Sequence, residues 1–404
     1  MKKTNQRFLA TSIALTLSGV LSAQTLYWDT NGATPGAGNP ADGTWDDTIL
    51  NWSTDSTGSI ATGAYSAGSD VVFSAGTDAA TGFVTVSGTQ QVSSLTFKNG
   101  SVVVDGSTID DDGDGRILIT VNSGATGTLN SPASLNADFN IEGDFFANSI
   151  NGGSSMSKTG AGTATFNRLD ASLTINQGTV IYTGAVSAKL KNTVINDTGS
   201  LQLTGNAFDG SKRSVTVNAG GSLSLSAGLT QRVGFLSGAG SLSGGAGSIL
   251  DVGGDNKNVT FSGSIGEQLN MRSSGTGSFT LDDTSSMTFT ILGDGVNNSI
   301  IGDGVNNTTT NLNGEFIFDL TGADLTDGNS WLIVDVAALN ETFGGTFNIA
   351  SFTEDGGIWT YDSDSGLTFS EGTGVLSYTI PEPSTYALLL GVAVVGVVYR
   401  RRRS

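Results

Sequence analysis

The 404-residue chain contains no cysteine and no histidine. Without cysteine no disulfide braces the fold and no thiolate serves as nucleophile or metal ligand, so stability has to come from burial and backbone pairing. Without histidine, Ser-His-Asp and Cys-His catalysis and histidine-bearing zinc sites are excluded. Carboxylate chemistry remains open. Proline is scarce, with five in all, and two of these stand in one tripeptide near the C-terminus. Positive charge is scarce too: 18 Lys and Arg face 37 Asp and Glu, a net charge of −19. A surface of that sign repels nucleic acid and anionic membranes and attracts divalent cations. Long apolar runs are missing everywhere except at the two ends.

At the N-terminus, Lys2, Lys3 and Arg7 precede an apolar run from Phe8 to Leu21, and Ser22-Ala23 offers a small residue before Gln24. This pattern predicts a secretory signal peptide over residues 1–23, cut between Ala23 and Gln24, with Ser22 as the fallback because Leu21 is large for its position. At the C-terminus, Pro381-Glu382-Pro383-Ser384 leads into an apolar run from Thr385 to Tyr399 that ends on Arg400, Arg401, Arg402 and Arg403. The prolines refuse a helix, the apolar run suits a membrane, and the arginines form a cationic stop. At ~1.5 Å per residue the run reaches only ~22 Å of a ~30 Å hydrocarbon core, which suits a transient anchor helix. A buried C-terminal helix capped by arginines is the bland alternative. With both cationic flanks inside, everything between the ends faces the exterior of the cytoplasmic membrane. Losing both ends leaves 11 basic and 36 acidic residues, a net charge of −25.

The tail, residues 381–404, resembles the PEP-CTERM sorting signal of Gram-negative exported proteins. That resemblance implies recognition and cleavage near Pro-Glu-Pro by an exosortase-like membrane enzyme, transient inner-membrane anchoring, and a destination at the cell surface or in the extracellular matrix, in association with exopolysaccharide or biofilm.

Between the ends, short alternating apolar clusters such as Phe83-Val84-Thr85-Val86 and Ile117-Leu118-Ile119-Thr120-Val121 are bounded by Gly, Asn or Asp. Strands of three to six residues recurring about every ten, with no helical period, predict an all-β body: a solenoid, a barrel or a sandwich. Internal similarity tilts the choice. Lys158-Thr159-Gly160-Ala161-Gly162-Thr163-Ala164-Thr165-Phe166 is followed by Asn176-Gln177-Gly178-Thr179-Val180, and Arg272-Ser273-Ser274-Gly275-Thr276-Gly277-Ser278-Phe279 repeats the outline. With Leu236 to Leu242 and Phe261 to Ile265, these strings resemble autotransporter-associated β-strand repeats, which implies a right-handed parallel β-helix over roughly 150–285. The resulting division is an N-terminal β region or cap over 24–149, a solenoid over 150–310 and a C-terminal β cap over 311–380. Ile175 and Val180 are expected to point inward.

Candidate chemistry is sparse. Asp110, Asp112 and Asp114 alternate before Gly115, like the first half of a calcium-binding EF-hand loop. The twelfth position is Val121, so the bidentate carboxylate is missing, and an acidic turn is the competing reading. Gly293-Asp294-Gly295-Val296-Asn297-Asn298 recurs as Gly302-Asp303-Gly304-Val305-Asn306-Asn307. The spacing does not fit calcium-binding nonapeptides, so two similar turns are expected. Trp28, Trp45 and Trp52 with Tyr27 form either a sugar-stacking platform or, the favoured reading, a plug for the solenoid end. The chain therefore reads as a non-enzymatic, exported structural or adhesive protein that needs no cofactor beyond an optional Ca²⁺ and binds no nucleic acid. The alternative is a polysaccharide lyase or hydrolase on a β-helix, which requires acids and bases clustered in a cleft on one face.

Overall fold

The computed structural model describes residues 23–380, apart from 114–115, 154, 185–188, 209, 255 and 267. The two expected terminal helices fall on 1–22 and 381–404, outside the described residues. Within the described residues the regular structure is all β.

Alternation in sequence becomes alternation in burial. Thr81–Val86 and Asn136–Ile141 place every second side chain in the interior, as a pleated strand requires. The strands fall into two long sheets, of 16 and 14 strands, visited in turn by the chain. Each strand pairs in parallel with its equivalent one circuit later: Thr163–Phe166 pairs with Gly178–Tyr182, which pairs with Gly199–Leu203. This is a β-solenoid. Parallel stacking runs from Thr25–Trp28 to Asn348–Ile349, on both sides of the stretch that carries the repeat-like strings.

The strings have a mechanical role. A Cβ on Gly160 (φ +79°) would press on the Ile141 carbonyl, and one on Gly162 on the Gly143 carbonyl. The corner of each coil thus sits directly on the backbone of the coil before it, and only glycine fits. Inside, Val180 and Ile175 are fully buried, as expected. Phe73, Phe97, Phe145, Phe139 and Phe166 form a chain of ring contacts through the interior. Outside the core, asparagines stack in register: Asn196 Nδ2 donates to Asn176 Oδ1 at 2.7 Å across 20 residues, and Asn218 Nδ2 to Asn196 Oδ1 at 2.7 Å across 22.

A narrow third face closes the coil. It begins as Ile109–Asp111 paired with Ala133–Ser134 and continues as single-residue bridges, Ala133 to Ile150 and Ile150 to Leu169, then Leu190 to Phe208. The strand Thr230–Ser237 changes this pattern. Its first half pairs forward with Ser248–Val252, while its second half pairs back with Gly210–Val217 and packs against Val259–Phe261. The buried Gln231 side chain occupies the junction, its Oε1 accepting from Ala207 N at 2.7 Å. From there the third face carries full strands, Ser248–Val252, Leu269–Ser273 and Ile300–Gly302, beside a new four-stranded sheet. The coils lengthen in step: stacked side chains are 31 residues apart at Asn311 and Thr280, and 33 at Asn348 and Glu315.

Both ends are covered. At the N-terminal end Trp28, Trp45 and Trp52 are buried and pack edge to face, with centroids 5.0 Å apart for Trp28 and Trp52 and 5.2 Å for Trp45 and Trp52. They plug the core and are not accessible for sugar stacking. At the other end Phe352–Asp355, Ile358–Tyr361, Leu367–Ser370 and Val375–Tyr378 form an antiparallel meander joined by Ser330–Leu332, which covers the last coil with Trp331 and Trp359 against the core.

Among the described residues one cation is interior. Lys158 is fully buried, and its Nζ donates to the Gly160 carbonyl at 2.6 Å and the Gln177 carbonyl at 2.9 Å. Desolvation drives its pKa from 10.5 down to about 8, against a smaller opposing pull from Glu142.

Two outcomes are expected. Ile175→Asp places a carboxylate with no partner in the stack and should cost more than about 3 kcal/mol in denaturant unfolding; an unchanged midpoint would remove Ile175 from the core. For Lys158 the unfolded chain binds more protons than the folded one between pH 8 and 10.5, so stability should rise with pH across that window. Burial pushes the Tyr182 phenol up to about 12, which acts oppositely above its ordinary 10.0, so the comparison belongs below that pH. Lys158→Met should flatten the rise.

Candidate functional site

Asp110 lies on Ile109–Asp111, paired with Ser134. Asp112 Oδ2 accepts from Ser93 Oγ at 2.7 Å, and the neighbouring Asp111 Oδ1 accepts from Gly113 N at 3.0 Å. Asp114 lies outside the described residues. Among the described residues no three Asp or Glu side chains converge on a common point that could hold a metal.

The two similar glycine-aspartate strings are turns, as expected. Asp294 Oδ1 accepts from Ser330 N at 2.9 Å. Asp303 Oδ1 accepts from Val305 N at 2.8 Å and Asn306 N at 2.7 Å, and its Oδ2 from Gly275 N in the preceding coil. Partial desolvation raises the Asp303 pKa, but these hydrogen bonds outweigh it and hold the carboxyl at about 2, well below 3.8.

Acid and base do meet on one face. Arg232, Asp251 and Arg272 occupy the same register in three successive coils, with Arg232 Nε 2.9 Å and Arg272 Nη2 2.6 Å from Asp251 Oδ2. By alternation Asp251 faces outward between Leu250 and Val252, yet it is 0% exposed because the arginines close over it. A carboxylate so enclosed is a staple between coils, with no path for a substrate proton. The sequence strings around Arg272 gave no sign of this, since the partners come from coils about 20 residues apart.

A concave site does form where the coils lengthen. The loop 291–299 overhangs the coil beneath and leaves a groove of about 140 Å³ lined by Gln268, Asn270, Thr290, Leu292, Val296 and the adjoining asparagines, continuous through Gln268 with an open depression beside Ser243 and Thr288. Asn298, buried, ties its walls together: Oδ1 accepts from Thr290 N at 2.8 Å, and Nδ2 donates to the Leu269 carbonyl at 3.2 Å and the Thr288 carbonyl at 3.0 Å. Asn270 Nδ2 donates to the Ser248 carbonyl at 3.0 Å and its Oδ1 accepts from Ser299 N at 2.9 Å. Sequence reasoning missed this groove. Its one local sign is the string Gly293 to Asn298, which reads as a turn.

The remaining sites are at the termini of the body. Gln24, next to the expected cleavage point at Ala23, already accepts from Asp70 N through its carbonyl at 2.8 Å, so the solenoid begins where the signal peptide is expected to end. At the other end Thr379 N donates to the Gly366 carbonyl at 2.9 Å and Ile380 N to Asp327 Oδ1 at 2.9 Å. The cap therefore holds the chain up to the residue before Pro381. Pro381, Glu382, Pro383, Ser384 and Arg400 to Arg403 lie outside the described residues.

Among known proteins, no curated sequence and no solved structure matches the chain. A family model described as the PEP-CTERM protein-sorting motif matches residues 379–403, so its first two positions are the last two that the cap holds. The chain thus carries a PEP-CTERM sorting motif, implying an exported, surface-directed protein processed by exosortase, attached directly to the closing cap of a β-solenoid.

Proposed function

We propose that the protein is a non-enzymatic structural or adhesive scaffold of the cell surface or extracellular matrix. Export begins at the signal peptide, and the tail then holds the body transiently in the cytoplasmic membrane of a Gram-negative-type cell. The observation that carries this reading is the sorting motif beginning inside the cap. Only four residues, Pro381 to Ser384, separate the last held residue, Ile380, from the apolar run. At ~3.4 Å per residue such a link allows the body no more than ~15 Å from the membrane surface, and two prolines in it oppose a helix that would bury Pro-Glu-Pro away from the processing enzyme.

The solenoid suits the task. It is long and repetitive, so any adhesion is multivalent and its strength comes from repetition. Exopolysaccharide is the matrix component this reading favours. The same reading takes the repeat strings as autotransporter-associated β-strand repeats, units that stack into a parallel β-helix. The enclosure of Asp251 weighs against the lyase or hydrolase alternative.

Replacing Pro381-Glu382-Pro383 by three alanines should leave an uncleaved precursor in the cytoplasmic membrane, seen by fractionation and immunoblotting. Deleting Arg400 to Arg403 should act differently and release unprocessed protein past the membrane. Processing of the alanine variant at the wild-type rate would sink the proposal.

A further inference from the structure

We infer that a clasp made by Asp327 and the turn at Gly366 positions the sorting motif and sets the upstream limit of its processing. This rests on the reading that the tail is cut, and the two fail on different outcomes.

The strand Val375–Tyr378 is paired on both sides, with Ser330–Leu332 and with Leu367–Ser370. Past its end the backbone is still held. Tyr378 N donates to the Asn329 carbonyl at 2.9 Å, and the Tyr378 carbonyl accepts from Gly328 N at 3.0 Å. Thr379 N donates to the Gly366 carbonyl at 2.9 Å on the opposite side. Ile380 N turns back to the first side and donates to Asp327 Oδ1 at 2.9 Å. Three successive amides are thus engaged alternately by two flanking loops, as the period of a strand requires. Pro381 comes next and has no N–H to give, so the ladder stops there for a chemical reason.

The two halves of the clasp are built differently. At the turn, a Cβ on Gly366 would lie 2.5 Å from the Thr379 carbonyl, so the turn sits directly against the departing chain. Gly366 N donates to Asp364 Oδ1 at 2.9 Å, and Asp364 Oδ2 accepts from the Tyr378 hydroxyl at 3.2 Å, which ties that turn to the strand it borders. On the other side a carboxylate reaches the chain from an exposed loop. Ile380 is 58% exposed, so burial does not hold it and the Asp327 carboxylate does.

A processing enzyme takes its substrate as an extended segment and draws on the same backbone groups that a neighbouring strand would use. Residues 378–380 have given theirs to the cap. The motif match begins at 379, so its first two residues act as a fixed register mark and the cut is confined to the C-terminal side of Ile380. Asp327 is a positioning residue in this reaction: it acts through the backbone of Ile380.

The test is mass spectrometry of the C-terminal peptide of the body released from full-length chain in cells that carry an exosortase, for the wild type, Asp327→Ala and Asp327→Asn. Wild-type products should retain Ile380. Losing a hydrogen bond to a charged acceptor raises the opened fraction of the last residues about tenfold, so products ending before Ile380 should become about tenfold more frequent in Asp327→Ala. Asp327→Asn keeps an acceptor oxygen in place and should restore the wild-type ends. The melting temperature of Asp327→Ala should not change, because the end frays without the body unfolding. Wild-type products that already lack Ile380, ends in Asp327→Ala that match the wild type, or ends in Asp327→Asn that match Asp327→Ala would each overturn the assignment. A wild type that is never cut would remove the reading of the tail and this assignment with it.

Discussion

Every coil of this protein satisfies its backbone on the coil before it, and that single dependence organises the rest. Parallel pairing in register places like positions above one another, so an inward Ile175 or Val180 extends a continuous apolar column and an outward Asn196 meets Asn176 and Asn218. With no disulfide available, the chain gains its rigidity from this repetition. The cost appears only at the ends, where a coil has no neighbour. Three tryptophans fill one end and an antiparallel meander covers the other.

Stacking also sets what polar groups can do. A side chain that repeats in register becomes a staple, as with Arg232, Asp251 and Arg272, and one that falls on a corner becomes a turn acceptor, as with Asp303. Lys158 shows the limit of this economy: its stem fills core space while its ammonium is accommodated by carbonyls of its own corner and the next. A groove forms where the lattice changes, at the step from coils of about 20 residues to coils of about 30.

The sorting motif and the fold meet at one place. The cap that closes the solenoid also grips Thr379 and Ile380, so the end that must be shielded from pairing is the end from which the sorting motif leaves. Closure of the core and presentation of the tail are thus the work of the same five strands.

Local pattern was enough for the strands, the corners and the tail. Alternation marks which side chains face inward because the pleat has a period of two, and glycine pairs such as Gly160 and Gly162 mark corners because no Cβ fits against the coil below. The tripartite tail is likewise legible from the order of its residues alone. The plug role of the tryptophans was favoured from scarcity, and burial decided it. Tertiary structure alone decided which residues meet across coils. The third face is made of single bridges at Ile150 and Leu169, too short to carry a pattern, and the burial of Asp251 and Lys158 reverses what their charge suggests. The groove depends on a change in coil length, which shifts what lies above Thr290 by about ten residues while leaving every local period intact. Periodicity is a property of neighbours along the chain; contact between coils is a property of how many residues each circuit takes.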